Sequence, residues 1–108
     1  MQHKGLANGR WFQLSLCQQM ANIGAEVGRA INWRNKDKKY SQMAVDRALE
    51  LLSLSISDKK NLHGIKELTR VYEIIGDYFY GNNVLKTDDS FLERYFYYFT
   101  YAARNRRG

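Results

Sequence analysis

Seven aromatic residues occupy the eleven positions from Phe91 to Tyr101, inside the stretch SFLERYFYYFTYAARNRR that runs from Ser90 to Arg107. A helix of that composition needs cover on most of its sides, and this constrains how the remaining chain packs. Ser90 and Glu93 have capping-box spacing and predict the helix start. Asp88 and Asp89 suit the positive end of its dipole, and Arg104, Arg106 and Arg107 the negative end. Leu92, Phe96, Phe99 and Ala103 follow at spacings of four, three and four, which makes one apolar face. Phe91, Tyr95, Tyr98 and Ala102 make a second. Arg94, Tyr97, Tyr101 and Arg104 make a third, with cations at both ends.

Two readings are open for that third face. Tyrosine rings between arginines can stack on unpaired bases while the guanidinium groups hold phosphates. The same residue types are also enriched where proteins meet proteins. A membrane-surface helix is disfavoured, because it would concentrate its apolar residues on one face.

The rest of the chain reads as helix. No proline occurs in 108 residues, where average usage would give about five. Leu16, Met20, Ile23, Val27 and Ile31 form a helical stripe within a first helix predicted over 11–35. Gly24 and Gly28, one turn apart, suggest close approach of another helix. Residues 1–10 are expected to be a flexible leader. A basic turn at Arg34, Lys36, Lys38 and Lys39 leads into a second helix over 40–57. There Val45, Leu49, Leu52 and Ile56, with Ala44, Ala48 and Leu51, form the buried side, and Asp46, Glu50, Ser53 and Ser57 the wet side.

Asp58 or Asn61 can cap a third helix over 62–80, with Leu62, Ile65, Leu68, Tyr72, Ile75 and Phe79 inward. Gly76 suggests a bend or a tight crossing against Gly24 or Gly28. Gly81 is expected to stop the helix in a left-handed conformation. With the last helix over 90–106, the expectation is an all-α antiparallel four-helix bundle, a single domain over 11–108. A bundle helix needs only about three-sevenths of its surface apolar. The excess on the last helix predicts self-association through it, most simply as a two-fold dimer.

Chemistry is sparse by contrast. His3 and His63 are far apart in sequence, and metal-binding helix pairs, Walker loops and nucleophile elbows are absent. Neither a metal nor a cofactor is expected, and the chain does not read as an enzyme. Cys17 is the lone cysteine, which fits a reducing compartment. The sequence MQHKGLANGR lacks an apolar signal core, and no run approaches the roughly 20 residues of a membrane span. The expected location is the cytoplasm, with no membrane partner. Glu26 and Arg29, with Arg70, Glu73 and Asp77, recur at helical spacing and read either as border ion pairs or as a network across a groove. Formal charge is +6 with a pI near 9.6, favouring anionic partners.

The segments ANIGAEVGRAINWR, AVDRALELLSLSI, KELTRVYEIIGDYF and YFYYFTYAARNRR together resemble a family of short, uncharacterised prokaryotic helical-bundle proteins, which implies no particular activity. More distantly, the chain resembles the HEPN group, whose members often dimerise; some are RNases and others partner a nucleotidyltransferase in toxin–antitoxin pairs. Catalytic HEPN proteins carry an Arg followed by a His after four to six residues. The corresponding positions after Arg94 are Phe99, Thr100 and Tyr101, and no histidine follows Arg104. That departure speaks against RNase activity.

The resulting expectation is a non-enzymatic, self-associating bundle that binds nucleic acid, RNA rather than DNA. Its contact stripe would be Arg94, Tyr97, Tyr101, Arg104, Arg106 and Arg107, with Arg34, Lys36, Lys38 and Lys39 as a second patch. The competing class is a protein-interaction module, such as a HEPN-like partner subunit of a toxin–antitoxin or nucleotidyltransferase system.

Overall fold

Ser15 sets the start of the first long helix. Its Oγ accepts from the Gln18 backbone N–H at 3.1 Å, and Gln18 Oε1 accepts from the Ser15 N–H at 2.9 Å. The computed structural model describes residues 9–106. The predicted leader up to Asn8 and the predicted contact Arg107 lie outside the described residues, and so does the side chain of the predicted contact Arg106.

The helix expected over 11–35 is two pieces, a 3₁₀ turn at Trp11–Gln13 and α1 at Leu16–Trp33. Trp11 turns into the core instead of opening the helix, and its ring N–H donates to Ser55 Oγ at 3.1 Å. A tight turn leads to α2, Lys38–Ser57, which begins two residues early because Asp37 Oδ1 accepts from the Tyr40 N–H.

The predicted third helix is also split. Lys59–Gly64 winds as a 3₁₀ segment capped by Asp58, and α3 covers Ile65–Phe79. The tighter winding, about three residues per turn, rotates the register. Leu62, expected inside, is therefore exposed and Asn61 is buried; on α3 the core positions are Leu68, Val71 and Ile75, while Ile65 and Tyr72 reach solvent.

Gly81 does not stop α3 in a left-handed conformation. Asn83 (φ 53°) and Lys86 (φ 57°) adopt that backbone instead, within a loop held by Asp77. The Asp77 carboxylate accepts from the N–H groups of Val84 and Leu85, both at 2.9 Å. The last helix, α4, covers Asp89–Arg106. Asp88, not Ser90, caps it: Asp88 Oδ1 accepts from the Phe91 N–H at 2.8 Å, while Ser90 Oγ accepts from Arg94. An ionised carboxylate one turn upstream outcompetes the neutral hydroxyl for the free N–H.

Cross-helix pairs run in opposite directions along the chain. Ala30 pairs with Ser41 and Glu26 with Arg47 between α1 and α2; Arg34 pairs with Asp89 and Gly24 with Phe96 between α1 and α4. The result is an antiparallel all-α globule of four helices, with no strand among the described residues. Around the bundle the order is α3, α2, α1, α4, so α1 and α2 are the inner helices and the aromatic α4 lies at an edge. The core is contributed mainly by Met20, Ile23 and Val27 of α1, Ala44, Ala48 and Leu52 of α2, Ile75 of α3, and Leu92 and Phe96 of α4.

One end of the bundle holds a buried polar knot. Gln19 Nε2 donates to Trp11 O (3.1 Å) and Asp58 Oδ2 (3.0 Å). Asn61 Nδ2 donates to Gln19 Oε1 (2.8 Å) and Ser55 O (2.9 Å). Burial of these amides is tolerated because each finds partners.

Candidate nucleic-acid interface

The position of α4 is fixed first by its contact with α1. Leu92 and Phe96 are buried, and Phe96 lies over Gly24, where a β-carbon would stand 2.6 Å from the Phe96 β-carbon. The predicted close approach thus occurs at Gly24, but Gly28 and Gly76 have open space beside them and make no such crossing.

The beginning of α4 is tied down by a polar cluster. Arg34 Nη2 lies 2.6 Å from Asp89 Oδ2, and the Tyr78 hydroxyl donates to Asp89 Oδ1. Burial alone would raise the Asp89 pKa, but hydrogen bonds from Arg34 and Tyr78 outweigh it and hold the carboxyl below its ordinary range. The Arg34 guanidinium is correspondingly raised, chiefly by its bond to Asp89. Arg34 therefore clamps helices together, in addition to contributing charge.

With its inner side occupied, α4 presents the predicted stripe to solvent. Arg94, Tyr97, Tyr101 and Arg104 are all exposed, Tyr97 by 66% and Tyr101 by 57%. The two rings stack at 6.4 Å between centroids with planes 29° apart. Arg94 is oriented by Ser90 Oγ at 2.7 Å. Beside Tyr97, a hollow of 400 Å³ runs between α1 and α4, lined by Ala21, Gly24, Gly28, Glu93 and Thr100. The small residues of α1 keep it open. Arg106 is the last helical residue.

The second predicted patch lies elsewhere. Lys36 sits over the Trp33 ring at 5.5 Å, and Lys38 and Lys39 are exposed at the start of α2. Arg34 of this patch contacts the first residue of α4, whereas Arg104 is fifteen residues further on. At about 1.5 Å per residue they are roughly 22 Å apart along the helix. The structure therefore joins Arg94, Tyr97, Tyr101 and Arg104 into one surface and leaves the basic turn beyond its Arg94 end, farthest from Arg104.

The five charged residues noted in the sequence do not form one network. Glu26 accepts from Arg29 (3.1 Å) and from Arg47 of α2 (3.4 Å), a border ion pair. Asp77 holds the following loop, and Arg70 and Glu73 face the groove between α3 and α4. Among the described residues no group of three His, Cys, Asp or Glu side chains is arranged to hold a metal. No described helix is long and apolar enough to cross a membrane.

Two constellations escape a periodicity reading. The Gln19–Asn61–Trp11 knot left one trace, since Gln19 falls within the apolar stripe of α1, between Leu16 and Ile23. The Arg34–Tyr78–Asp89 cluster left none, because Arg34 is 44 residues from Tyr78 and all three members lie on different elements. No family model, curated protein or solved structure matches this chain.

Proposed function

We propose that the protein binds single-stranded nucleic acid, RNA rather than DNA, without catalysing a reaction on it, through the outer face of α4. The observation that carries this is the exposed, stacked Tyr97–Tyr101 pair lying between Arg94 and Arg104. Aromatic platforms accept any base, each stack contributing about 1–3 kcal/mol, and flanking cations follow the phosphates. Single strands are the form in which RNA most often displays unstacked bases to proteins. The overall charge of +6 favours the encounter.

The test is a titration of a fluorescent single-stranded oligoribonucleotide, followed by anisotropy. Replacing both tyrosines (Tyr97→Ala with Tyr101→Ala) should weaken binding by about 30-fold or more, given the stacking energies above. Unchanged affinity would remove α4 from the account, and no binding at low salt would end it.

A second reading, association of two copies or docking of a protein partner, rests on a different residue. Tyr98 is 66% exposed and sits between the arginine-flanked stripe and the Phe91–Tyr95 face. Two-fold pairing through Tyr98 would cover an aromatic surface that one copy leaves open. A HEPN-like partner subunit is the form an interaction module of this kind would take. Light scattering on the wild type and on Tyr98→Lys tests it: a dimer that the substitution dissociates supports pairing, and a monomer at all concentrations removes it.

A further inference from the structure

α3 and α4 pack only loosely, bridged by the Tyr78–Asp89 and Tyr95–Glu67 hydrogen bonds. A groove of 760 Å³ lies in that seam, its apolar lining made by Ile65, Val71, Ile74, Phe91 and Leu92 and its polar lining including Arg70 and Glu73. Val71 and Leu92 are its buried floor, and the Phe91 and Tyr95 rings stack along one wall at 6.2 Å. The polar tip of Tyr95 is already satisfied by Glu67 Oε2 at 2.6 Å, so the trough is mainly apolar, with Glu67, Thr69 and Glu73 along its α3 wall. Its volume is that of a ligand site, about 300–1,000 Å³.

One end of the groove is different. It opens, through Arg70, Ile74 and Phe91, into a second hollow of 430 Å³ that also holds Lys86 and Arg94. Among the described residues, no carboxylate lies within ion-pair distance of Arg70, Lys86 or Arg94. Asp88, the acid of this hollow, has one oxygen on the Phe91 N–H. Lys86 is presented by an ordered loop, in which Asn83 accepts from the Thr87 N–H and donates to the Thr87 carbonyl, both at 2.9 Å. Three cations thus meet, with Asp88 beside them, where a mainly apolar trough ends.

We propose that this groove binds a single-chain amphipathic anion, an alkyl chain bearing a carboxylate or phosphate head. The chain lies along Ile65, Ile74 and Phe91, and the head is held by Arg70, Lys86 and Arg94. A nucleobase fits the floor of the trough less well, since Ile65, Val71, Ile74 and Leu92 offer its edge donors and acceptors no partners. A second copy of this basic chain would bring its own cations to the same mouth. An alkyl anion has neither problem. The inference is independent of nucleic-acid binding, with which it shares only Arg94.

Calorimetric titration of the full chain with decanoate, and with neutral decan-1-ol, tests it. Decanoate should bind at least about tenfold more tightly than the alcohol, because its head gains charge-assisted hydrogen bonds. The double change Arg70→Gln with Lys86→Gln should abolish that difference, while Lys59→Gln, which lies outside the groove lining, should leave it within about twofold. Ile74→Asp should weaken both ligands, with circular dichroism confirming that each variant is folded. Titration with lysophosphatidylglycerol, a single-chain lipid, separates a lipid from a free acid: capture lost in the Arg70/Lys86 variant assigns the head to a lipid phosphate. Decanoate binding no better than decanol binding, without such variant-sensitive capture, would overturn the proposal, as would capture or binding indifferent to those two cations.

Discussion

Gly24 of α1 and Phe96 of α4 touch so closely that the glycine has no room for a side chain. A β-carbon there would stand 2.6 Å from the β-carbon of Phe96 and 2.9 Å from its Cγ. Gly24→Ala should therefore destabilise the protein by about 1–3 kcal/mol, despite the better helix propensity of alanine. Gly28→Ala, with nothing in the way, should stabilise it by up to about 1 kcal/mol. Urea unfolding of the two variants checks both signs. Equal effects would mean that α4 does not sit on Gly24.

The Asp89 cluster predicts a specific acid sensitivity. Its carboxyl titrates below the ordinary value of 3.8 when folded, so the unfolded chain binds its proton first as pH falls. The contribution is complete above that ordinary value and is lost as pH falls through the lower folded value. Both partners are about one-third exposed, so solvent screening limits it to about 1 kcal/mol. Asp89→Asn should lower stability at neutral pH, and the gap to wild type should close in acid. A gap that persisted unchanged at low pH would assign the loss to packing.

Tyrosine ionisation gives the alkaline counterpart. Burial, and then the hydrogen bond to Glu67, push the Tyr95 phenol well above its ordinary value of 10.0. The protonated form is thus favoured by folding, so its contribution is intact below pH 10 and is lost as pH rises toward the folded value. Tyrosinate absorbance should show Tyr95 silent near pH 10 in the folded protein, and Tyr95→Phe should leave the absorbance change at that pH unaltered. A smaller change in the variant would show the phenol to be open to water.

For nucleic acid, salt dependence discriminates contact types. Arg104→Gln should reduce the slope of log affinity against log salt by about 0.7, the value for one phosphate of a single strand. Tyr97→Ala should lower affinity at every salt concentration and leave the slope unchanged. Because both side chains are exposed, neither substitution should move stability by more than about 0.5 kcal/mol. A slope unaltered in Arg104→Gln would place the phosphates elsewhere.

How much of this was legible in the sequence depends on whether the signal is periodic. The stripes Met20–Ile23–Val27 and Leu92–Phe96, and the sharing of one face by Arg94, Tyr97, Tyr101 and Arg104, follow from helical spacing, whereas spacing left open whether that face is covered, and the structure has it exposed. Capping was less legible. Ser90–Glu93 has the right spacing, yet Asp88 does the work, because several acceptors compete for the same N–H groups. The split at Lys59–Gly64 was not legible, since 3₁₀ winding leaves no distinct pattern and throws Leu62 outward. Contacts such as Arg34 with Asp89, or Gln19 with Asn61, depend on how the helices dock, which residue spacing does not encode.

The fastening of α4 is lopsided. Asp89 and Tyr95 reach to Arg34, Tyr78 and Glu67 from its first two turns, whereas Phe99 and Ala103 are half-covered and sit past the Gly24 contact. The rod is pinned at its root and loosest toward its tip. Amide deuteration should consequently advance from Ala103 back toward Leu92, and a bound strand gripping Tyr97, Tyr101 and Arg104 should slow it most in the final turns.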